Sequence, residues 1–329
     1  MNSPKTKHSL LYGNIRLFAG TASPDLAQEV ADKLGVELCG RDIVEFTNDN
    51  LFVKLHASVR GQDCYIIQTT SIPVHRNLME LLIMTQTLKL DSAGRITVVV
   101  PYMCYGRSDR KDQPRVPITA RLVADMIEVA GADRYMTMDL HAGQIQGFFS
   151  IPGDVLSGYH ILKPYLLEKL PSLTNPVLLT ADLGFAKTGR RYAQALNIPL
   201  AFIEKRRIDN QDHTEALSII GDVNHRDVIL IDDEVDTGGS MAQAVHLAKL
   251  NGARSVYMVF VHPVLSVDAA EKLAETPVKE FITTNTIPVS PEKQAFFGDR
   301  LTVLSIGPLL AEVIKRANEG TSVGELFNE

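Results

Sequence analysis

Short, continuously apolar runs alternate with segments whose apolar residues recur at helical spacing, and this alternation limits the folds open to the chain. The strand-like runs are Ile15–Ala19, Cys64–Gln68, Ile96–Pro101, Tyr135–Asp139, Val177–Thr180, Pro199–Ile203, Asp227–Asp232 and Ser255–Val261. The helix-like segments are Leu26–Leu34, Leu78–Leu90, Thr119–Ala130, Arg190–Leu196 and Met241–Leu250. Strands without polar alternation are buried on both faces, and the helices between them provide the cover. The sequence therefore predicts an α/β fold built on parallel sheets.

The order of strands and helices restarts near the middle of the chain. A length of 329 residues makes two domains the natural expectation. We place the boundary near Ile151–Lys163, where the sequence has no low-complexity linker. We predict an N-terminal domain over 10–157 and a C-terminal domain over 158–329, each a mostly parallel sheet flanked by helices. The last helix is a candidate to pack back on the N-terminal domain.

The charge balance and the cysteines restrict the partners and the compartment. A net charge of -6 argues against non-specific binding to nucleic acid or to a membrane surface. No apolar run approaches the roughly 20 residues that a membrane-spanning helix needs, and the N-terminal stretch lacks the apolar core of a signal peptide. Cys39, Cys64 and Cys104 lack metal-ligand spacing and are predicted to be buried thiols. An odd, sparse cysteine count favours a reducing compartment, the cytoplasm.

The most specific motif is Val228–Ser240 (VILIDDEVDTGGS), an apolar strand that ends in carboxylates and leads through a glycine turn into a helix. Ligands of open α/β sheets bind at the carboxyl ends of strands. Paired glycines, hydroxyl donors and a helix start suit a phosphate, whereas adjacent carboxylates suit the hydroxyls of a sugar. A plain acidic helix cap with a glycine turn is the alternative. The candidate ribose 5-phosphate site consists of Asp232, Asp233, Asp236, Thr237, Gly238, Gly239 and Ser240.

Three further polar segments follow predicted strands. Pro101–Asp112 concentrates cations where the phosphates of a nucleotide could lie, although a solvated charged loop would have the same composition. In Asp139–Phe149, His141 is either a structural hydrogen-bonding residue or a ligand for metal or phosphate. Glu204–Arg207 is either a solvated charge run or a cationic clamp beside the phosphate site. The chain has no Walker-type or G-x-G-x-x-G motif, so ATP would have to bind without a P-loop.

Taken together, these segments resemble the ribose-phosphate diphosphokinase (phosphoribosyl-diphosphate synthetase) family, from Ile15 to Phe327. The resemblance implies two tandem phosphoribosyltransferase-like domains. It implies an enzyme that transfers the β,γ-diphosphate of Mg-ATP to the anomeric hydroxyl of ribose 5-phosphate, giving 5-phosphoribosyl 1-diphosphate and AMP for nucleotide biosynthesis. Two alternatives are a catalytically weak regulatory homologue that assembles with a true synthetase, and a phosphoribosyltransferase acting on a base. The second alternative would need a nucleobase-recognition hood, which the sequence does not reveal.

The resemblance also implies roles for individual residues. Lys205 and Arg207 would stabilise the transferring diphosphoryl group, and the Asp232–Ser240 loop would hold ribose 5-phosphate. His141 and Asp182 would bind Mg²⁺ or the phosphates that it bridges, with Asp139 and Asp154 as weaker candidates. The family implies a homo-oligomer, built from dimers and commonly a hexamer. The ATP-binding candidates are Phe46, Asn48, Asn50, Arg107, Ser108 and Asp112.

Several positions depart from the family's pattern. Phe46–Asn50 reads FTNDN where the family usually has FSDGE, Ser108 replaces a glutamine, and Ser150 replaces an aspartate. The departures cluster around the nucleotide base and the metal periphery, so they leave the nucleotide preference open. Looser discrimination among nucleoside triphosphates and a different preferred one are both hypotheses. The polar run Arg207–Glu215 is predicted to be a lid that closes over the diphosphate.

Overall fold

The computed structural model describes residues 12–182, 184–207 and 215–327, with the main chain alone at 205–207 and 215–216. Its contacts divide the chain into two compact units. The first unit runs to Leu156 and resumes at Ile306, and the second unit spans Ser157–Ser305. The C-terminal segment therefore belongs to the first unit.

The first unit begins with β1 (Ile15–Ala19), α1 (Pro24–Leu34), β2 (Arg41–Glu45), β3 (Leu51–Leu55), β4 (Asp63–Ile67), α2 (Val74–Leu90), β5 (Arg95–Val100), α3 (Thr119–Ala130), β6 (Arg134–Met138) and β7 (Gly153–Leu156). The second unit contains α4 (Tyr159–Lys169), β8 (Val177–Thr180), α5 (Ala186–Leu196), β9 (Leu200–Arg207), β10 (Glu215–Ile220), β11 (Asp227–Val235), α6 (Gly239–Leu250), β12 (Ser255–Pro263), α7 (Ala269–Ala274), β13 (Val278–Thr284), α8 (Pro291–Phe297) and β14 (Leu301–Leu304). The first unit is completed by α9 (Gly307–Glu319).

The first unit is organised around a parallel five-stranded sheet in the order β1-β4-β5-β6-β7. On one face, Ile66 and Val98 pack with residues of α2 and α3 in a single apolar cluster. On the other face, the hydroxyl of Tyr65 lies 3.5 Å from the carbonyl oxygen of Ile314 in α9, and α9 also packs against α1. Helices cover both faces, as the continuous apolar strands predict.

The second unit contains a seven-stranded sheet in the order β10-β9-β8-β11-β12-β13-β14. All neighbouring strands are parallel except β10, which runs antiparallel to β9 at the sheet edge. One apolar cluster joins the sheet to α6, α7 and α8, and another joins its opposite face to α4 and α5. The predicted α/β class with mostly parallel sheets is therefore confirmed.

Several elements differ from their predicted extents. Strand β9 continues through Arg207 because β10 pairs with it from Phe202 to Arg207, so the basic residues predicted to follow the strand lie within it. Strand β11 continues to Val235, beyond the predicted end at Asp232. The β2–β3 hairpin was not predicted. The predicted lid over Arg207–Glu215 falls mainly on 208–214, outside the described residues.

The three cysteines are free thiols, as predicted, with Cys64 and Cys104 buried and Cys39 half-buried. Burial raises the pKa of each thiol, that of Cys64 to about 12, so all three remain protonated and unreactive at neutral pH. Among the described residues, no helix is long and apolar enough to cross a membrane.

Candidate active site

The acidic motif of the second unit lies where β11 outruns its neighbour. Pairing of β11 with β8 ends at Ile231 and Thr180, so Asp232 and Asp233 lie just beyond the last paired position on that side. The backbone N–H of Asp233 donates to Asp232 Oδ1 at 2.9 Å. Gly238 then adopts a left-handed conformation (φ 73°), and α6 begins at the next residue. The motif thus places two carboxylates near the end of β11 and a helix N-terminus directly after the glycine turn that follows the strand.

The carboxylates of this motif repel one another. Burial and the charge of Asp233, with a smaller contribution from Asp182, raise the pKa of Asp232 well above its ordinary value. Asp182 lies beyond β8, and its Oδ1 accepts a 3.0 Å hydrogen bond from the N–H of Phe185 at the start of α5. A cation or a set of hydroxyl donors would stabilise the charged form of these carboxylates.

Ser266 holds the turn after β11. It is not among the predicted site residues. Its Oγ donates to Asp236 Oδ1 at 2.5 Å, and its N–H donates to the Asp236 carbonyl at 3.0 Å. The N–H of Leu265, a residue at a φ of 47°, donates to the Val235 carbonyl at 2.9 Å. A left-handed non-glycine residue is strained and persists only where its surroundings fix it. The segment after β12 therefore fixes the shape of the candidate phosphate loop.

A buried polar cluster lies at the carboxyl end of β12. His262 is opposite Glu234 in the pairing of β11 with β12. Its Nδ1 lies 3.0 Å from Thr286 Oγ1, which donates to the carbonyl of Val261 at 3.2 Å. Both His262 and Thr286 are buried. This cluster supports the strand that carries Asp232 and Asp233.

In the first unit, the arginine-rich segment Pro101–Asp112 directly follows β5 and precedes α3. Ser108 closes it: its Oγ accepts a 3.2 Å hydrogen bond from the N–H of Thr119, and its carbonyl accepts one of 3.1 Å from Ala120. These are the first N–H groups of α3, which lack partners within the helix. The Ser108 side chain therefore stabilises the loop itself, while Arg107 and Asp112 lie in its exposed part.

The segment after β6 lies against this loop, so the structure brings these two predicted segments together. A Cβ placed on Gly106 would lie 3.3 Å from the Cβ of His141, and Gln144 donates a hydrogen bond to Asp109. Asp154, a weaker metal candidate, is paired with Arg134 at 2.8 Å and lies in β7. That ion pair gives Asp154 a structural role.

The remaining nucleotide candidates form the tip of the β2–β3 hairpin. The N–H of Phe46 donates to the carbonyl of Asn50 at 2.9 Å, and the N–H of Asn50 donates to Asn48 Oδ1 at 3.3 Å. Asp49 occupies the left-handed region (φ 62°) that the tight turn requires. The Phe46 side chain is half-exposed, and its ring centroid lies 6.3 Å from that of Phe52. An exposed ring on a tight turn is suited to stacking on a nucleobase.

The catalytic candidates Lys205 and Arg207 lie in β9, where their backbones pair with Leu217 and Glu215 of β10. Their side chains lie outside the described part of the structure. Of the predicted metal ligands, His141 belongs to the first unit and Asp182 to the second. Within the described ranges, no three His, Cys, Asp or Glu side chains form a group that could hold a metal ion by themselves.

Comparison with known proteins assigns both parts of the chain to one family. Residues 15–131 match the family model of the N-terminal domain of ribose phosphate pyrophosphokinase, and residues 209–328 match the phosphoribosyl synthetase-associated domain. A ribose-phosphate pyrophosphokinase from Clostridium acetobutylicum is 43% identical over 316 residues, which cover 96% of this chain and 98% of that protein. The Wolinella succinogenes protein of the same name is 44% identical over 312 residues, covering 95% and 98%.

A solved structure of similar architecture leads to the same family. The crystal structure of phosphoribosylpyrophosphate synthetase from Mycobacterium smegmatis superposes with a TM-score of 0.88 at 41% identity, covering 93% of this chain and 99% of that chain. The chain is thus a member of the phosphoribosyl synthetase class, and it belongs to the ribose-phosphate pyrophosphokinase family.

Proposed function

We propose that this protein is a ribose-phosphate diphosphokinase, which transfers the β,γ-diphosphate of ATP to ribose 5-phosphate. Its family membership supports this assignment. The structural observation that carries it is the turn from β11 into α6, where Asp232 and Asp233 precede a glycine loop and a helix N-terminus. A sugar phosphate presents both the hydroxyls and the anion that such a turn suits.

Ribose 5-phosphate binds along this turn. Asp232 and Asp233 accept hydrogen bonds from the ribose hydroxyls, whose donors relieve the repulsion between the two carboxylates. The 5-phosphate lies against the start of α6, where free backbone N–H groups and the helix dipole favour an anion. Thr237 and Ser240 are exposed on this turn and provide hydroxyl donors.

The nucleotide binds to the exposed segments of the first unit. Arg107 binds its phosphates, because a guanidinium can donate two parallel hydrogen bonds to one phosphate. Phe46 stacks on the base, and the amides of Asn48 and Asn50 lie on the same hairpin turn. Asp112, in the exposed part of the arginine-rich loop, also contacts the nucleotide.

The donor set fits Mg²⁺ that is bound mainly through substrate. The carboxylate oxygens of Asp182, Asp232 and Asp233 interact with one another, and they are hard ligands of the kind that Mg²⁺ prefers. Mg²⁺ usually binds through one or two carboxylates together with water and substrate phosphates, which agrees with the lack of a closed ligand cluster among the described residues. When bound, Mg²⁺ neutralises phosphate charge. Asp182 of the second unit and His141 of the first unit are each candidate ligands that would hold it.

In the reaction, the anomeric oxygen of ribose 5-phosphate forms a bond to the β-phosphorus and loses its proton. The bond between the β-phosphorus and the oxygen bridging to the α-phosphate breaks, and AMP leaves. Such transfers depend on positioning and charge stabilisation. Lys205 and Arg207 contribute positive charge that stabilises the transferring diphosphoryl group.

We further propose a cytoplasmic homo-oligomer, built from dimers and assembled as a hexamer. The apolar groove between α2 and α3 supports assembly, because Leu122 and Val129 on its rim are 55% and 84% exposed. Contiguous exposed apolar surface of this kind marks interaction sites. The three free thiols agree with a reducing compartment.

The direct test is to incubate the protein with ribose 5-phosphate, ATP and Mg²⁺ and to measure AMP and phosphoribosyl diphosphate together. We expect equal amounts of both products. Lys205→Ala should reduce kcat by about a hundredfold or more while changing the KM for ATP little, because its charge acts mainly in the transition state. Equal losses in kcat and in ATP affinity would contradict that role. Measurable ribose 5-phosphate binding without product would favour the regulatory homologue instead.

A further inference from the structure

The β2–β3 hairpin is attached to the first unit through one face. It forms a two-stranded sheet of its own, separate from the five-stranded sheet. Val53 is buried in the core and β3 packs against α2. Val44 and Phe52, which pair across the two strands, are exposed. Because an isolated two-stranded hairpin is only marginally stable, its tip requires a further attachment to keep one position.

Glu80 of α2 provides a fixed point near the hairpin. Its side chain is fully buried. Its Oε1 accepts hydrogen bonds from the N–H of Thr21 at 2.6 Å and from Gln68 Nε2 at 3.2 Å, and its Oε2 accepts one from Thr21 Oγ1 at 2.6 Å. A buried carboxylate is costly unless it is paired in this way. The network holds Glu80 at the carboxyl ends of β1 and β4.

Arg76, one helical turn before Glu80, connects this fixed point to the hairpin. Its Nη1 donates to Glu80 Oε2 at 2.8 Å and to Thr21 Oγ1 at 2.7 Å. Its Nε donates to Glu45 Oε2 at 2.6 Å. Glu45 is the last residue of β2 and directly precedes Phe46. Because a guanidinium presents its donors in fixed directions, this bridge determines where the hairpin tip begins.

From this bridge we infer that Glu45 and Arg76 are positioning residues for the nucleotide, which they do not touch. They hold the Phe46–Asn50 tip at the place where the base binds. The inference rests on the proposed function, since that function places the base at the tip. The side chains of Glu45 and Arg76 are 45% and 30% exposed, and exposed ion pairs contribute little to folding. Breaking the pair should therefore change nucleotide binding and leave the fold intact.

The test compares Glu45→Gln, Glu45→Arg and the charge-swapped double variant Glu45→Arg/Arg76→Glu, with ATP and ribose 5-phosphate varied separately. For Glu45→Gln we expect the KM for ATP to rise roughly two- to fivefold, the range of an exposed ion pair. Glu45→Arg should raise it further, because two guanidinium groups then meet. In the double variant, an arginine at 45 can pair with carboxylates at 76 and 80, and the KM should return to within about twofold of wild type.

Glu312→Gln is the matched control. Glu312 forms a 2.9 Å ion pair with Arg316 on α9 of the same unit, and its side chain is 41% exposed, close to the exposure of Glu45. We expect this variant to have wild-type kinetics. In Glu45→Gln and Glu45→Arg, which keep the hydrogen bonds of Arg76 to Glu80 and Thr21, we expect kcat, the KM for ribose 5-phosphate and the Tm to stay unchanged.

An unchanged KM for ATP in both single variants would overturn the inference. So would a double variant no better than Glu45→Arg, or equal rises in both KM values together with a lower Tm. If the wild-type protein itself forms no product, the proposed function fails. A failure of the inference alone leaves wild-type product formation intact.

Discussion

Asp227 is a charged side chain that the second unit buries completely at the start of β11. Arg254 Nε donates to its Oδ1 at 2.9 Å, a second nitrogen of Arg254 donates to Oδ2, and the N–H of Thr174 donates to Oδ2 at 2.8 Å. Burial alone would raise the pKa of Asp227, but these hydrogen bonds hold it below its ordinary value. The pair anchors one end of the strand whose other end carries Asp232 and Asp233.

The Asp227–Arg254 pair makes stability depend on pH in a defined direction. A carboxyl whose pKa is lower in the folded state stabilises the fold above its unfolded pKa of about 3.9. That stabilisation is lost as the pH falls through the lower, folded pKa. Asp227→Asn should therefore reduce the free energy of unfolding at pH 7 by about 1–2 kcal/mol, a modest value because Arg254 is half-exposed.

Urea unfolding of wild type and Asp227→Asn, followed by circular dichroism between pH 7 and pH 3.5, measures this effect. The difference between the two proteins should be constant near neutral pH and should shrink below about pH 4. A difference that is the same at every pH would show that the charge of Asp227 is not its source.

At the same scale, Ser266 holds the turn of the proposed ribose 5-phosphate site. Ser266→Ala removes the hydrogen bond to the Asp236 carboxylate and frees the turn before α6. We expect the KM for ribose 5-phosphate to rise roughly two- to tenfold, the worth of one hydrogen bond, and the KM for ATP to stay unchanged. Ser172→Ala is the control, because Ser172 Oγ donates only to a local carbonyl, that of Lys169. A similar change in the control would contradict a specific role for Ser266.

The sequence indicates candidate ligand-binding residues but does not indicate the residues that hold them in place. The Asp232–Ser240 motif is contiguous, so its chemistry can be read from one segment. Ser266 meets Asp236 from 30 positions away, and Arg76 meets Glu45 from 31 positions away. Only the folded chain reveals such pairs. Likewise, the hydroxyl of Ser108 accepts a hydrogen bond from the start of α3. The loop sequence by itself does not indicate that contact.

At the scale of elements, burial decided which predictions succeeded. Ile15–Ala19 and Thr119–Ala130 have their predicted bounds, because strand and helix are apolar where they face the core. The β2–β3 hairpin was missed because one of its faces is exposed and carries charge, as at Asp42 and Lys54. The extension of β9 through Arg207 depends on pairing with β10, and pairing of this kind is not encoded in the strand's own pattern.

The attachment of α9 is a second element-scale feature. Asp63, fully buried in β4, accepts hydrogen bonds from Arg95 at 2.8 and 2.6 Å and from Asn318 Nδ2 in α9 at 2.8 Å. Arg95 also donates to the carbonyl of Ala317 at 3.0 Å. The buried ion pair therefore joins the sheet to the helix that returns from the end of the second unit.

Breaking the ion pair between Asp63 and Arg95 should strongly reduce the free energy of unfolding. Asp63→Ala leaves Arg95 buried without its carboxylate, and we expect a loss of about 3–5 kcal/mol in the free energy of unfolding of the first unit. Asn318→Ala, which keeps the ion pair, should lose only about 1–2 kcal/mol. Denaturant unfolding of the three proteins measures the ranking, and equal losses would show that the charge pair does not matter.

At the scale of the whole molecule, the two sheets share a strand order but not a ligand loop. The order β1-β4-β5-β6-β7 corresponds to β8-β11-β12-β13-β14, so the end of β4 corresponds to the end of β11. After β4 the chain has no glycine turn: Gln68 donates to Glu80, and the N–H of Thr69 donates to Ser23. In the first unit, side chains of the protein itself therefore accept the hydrogen bonds that the donors after β4 could otherwise give to a phosphate.

One ribose 5-phosphate should therefore bind per chain. Isothermal titration calorimetry should give a stoichiometry near one, and Asp232→Asn combined with Asp233→Asn should abolish the heat of binding. A stoichiometry near two, or residual tight binding in the double variant, would indicate a second site and contradict the prediction of one site per chain.

The return of α9 to the first unit sets an order of events during synthesis. Everything the second unit contains, Ser157–Ser305, leaves the ribosome before the segment from Ile306 that completes the first unit. At about 5–20 residues per second, domains fold as they emerge, usually from the N-terminus onward. Here the first unit cannot be completed until its last helix has emerged, after the whole of the second unit. Until α9 docks, the chain exposes the face of the first sheet that α9 covers.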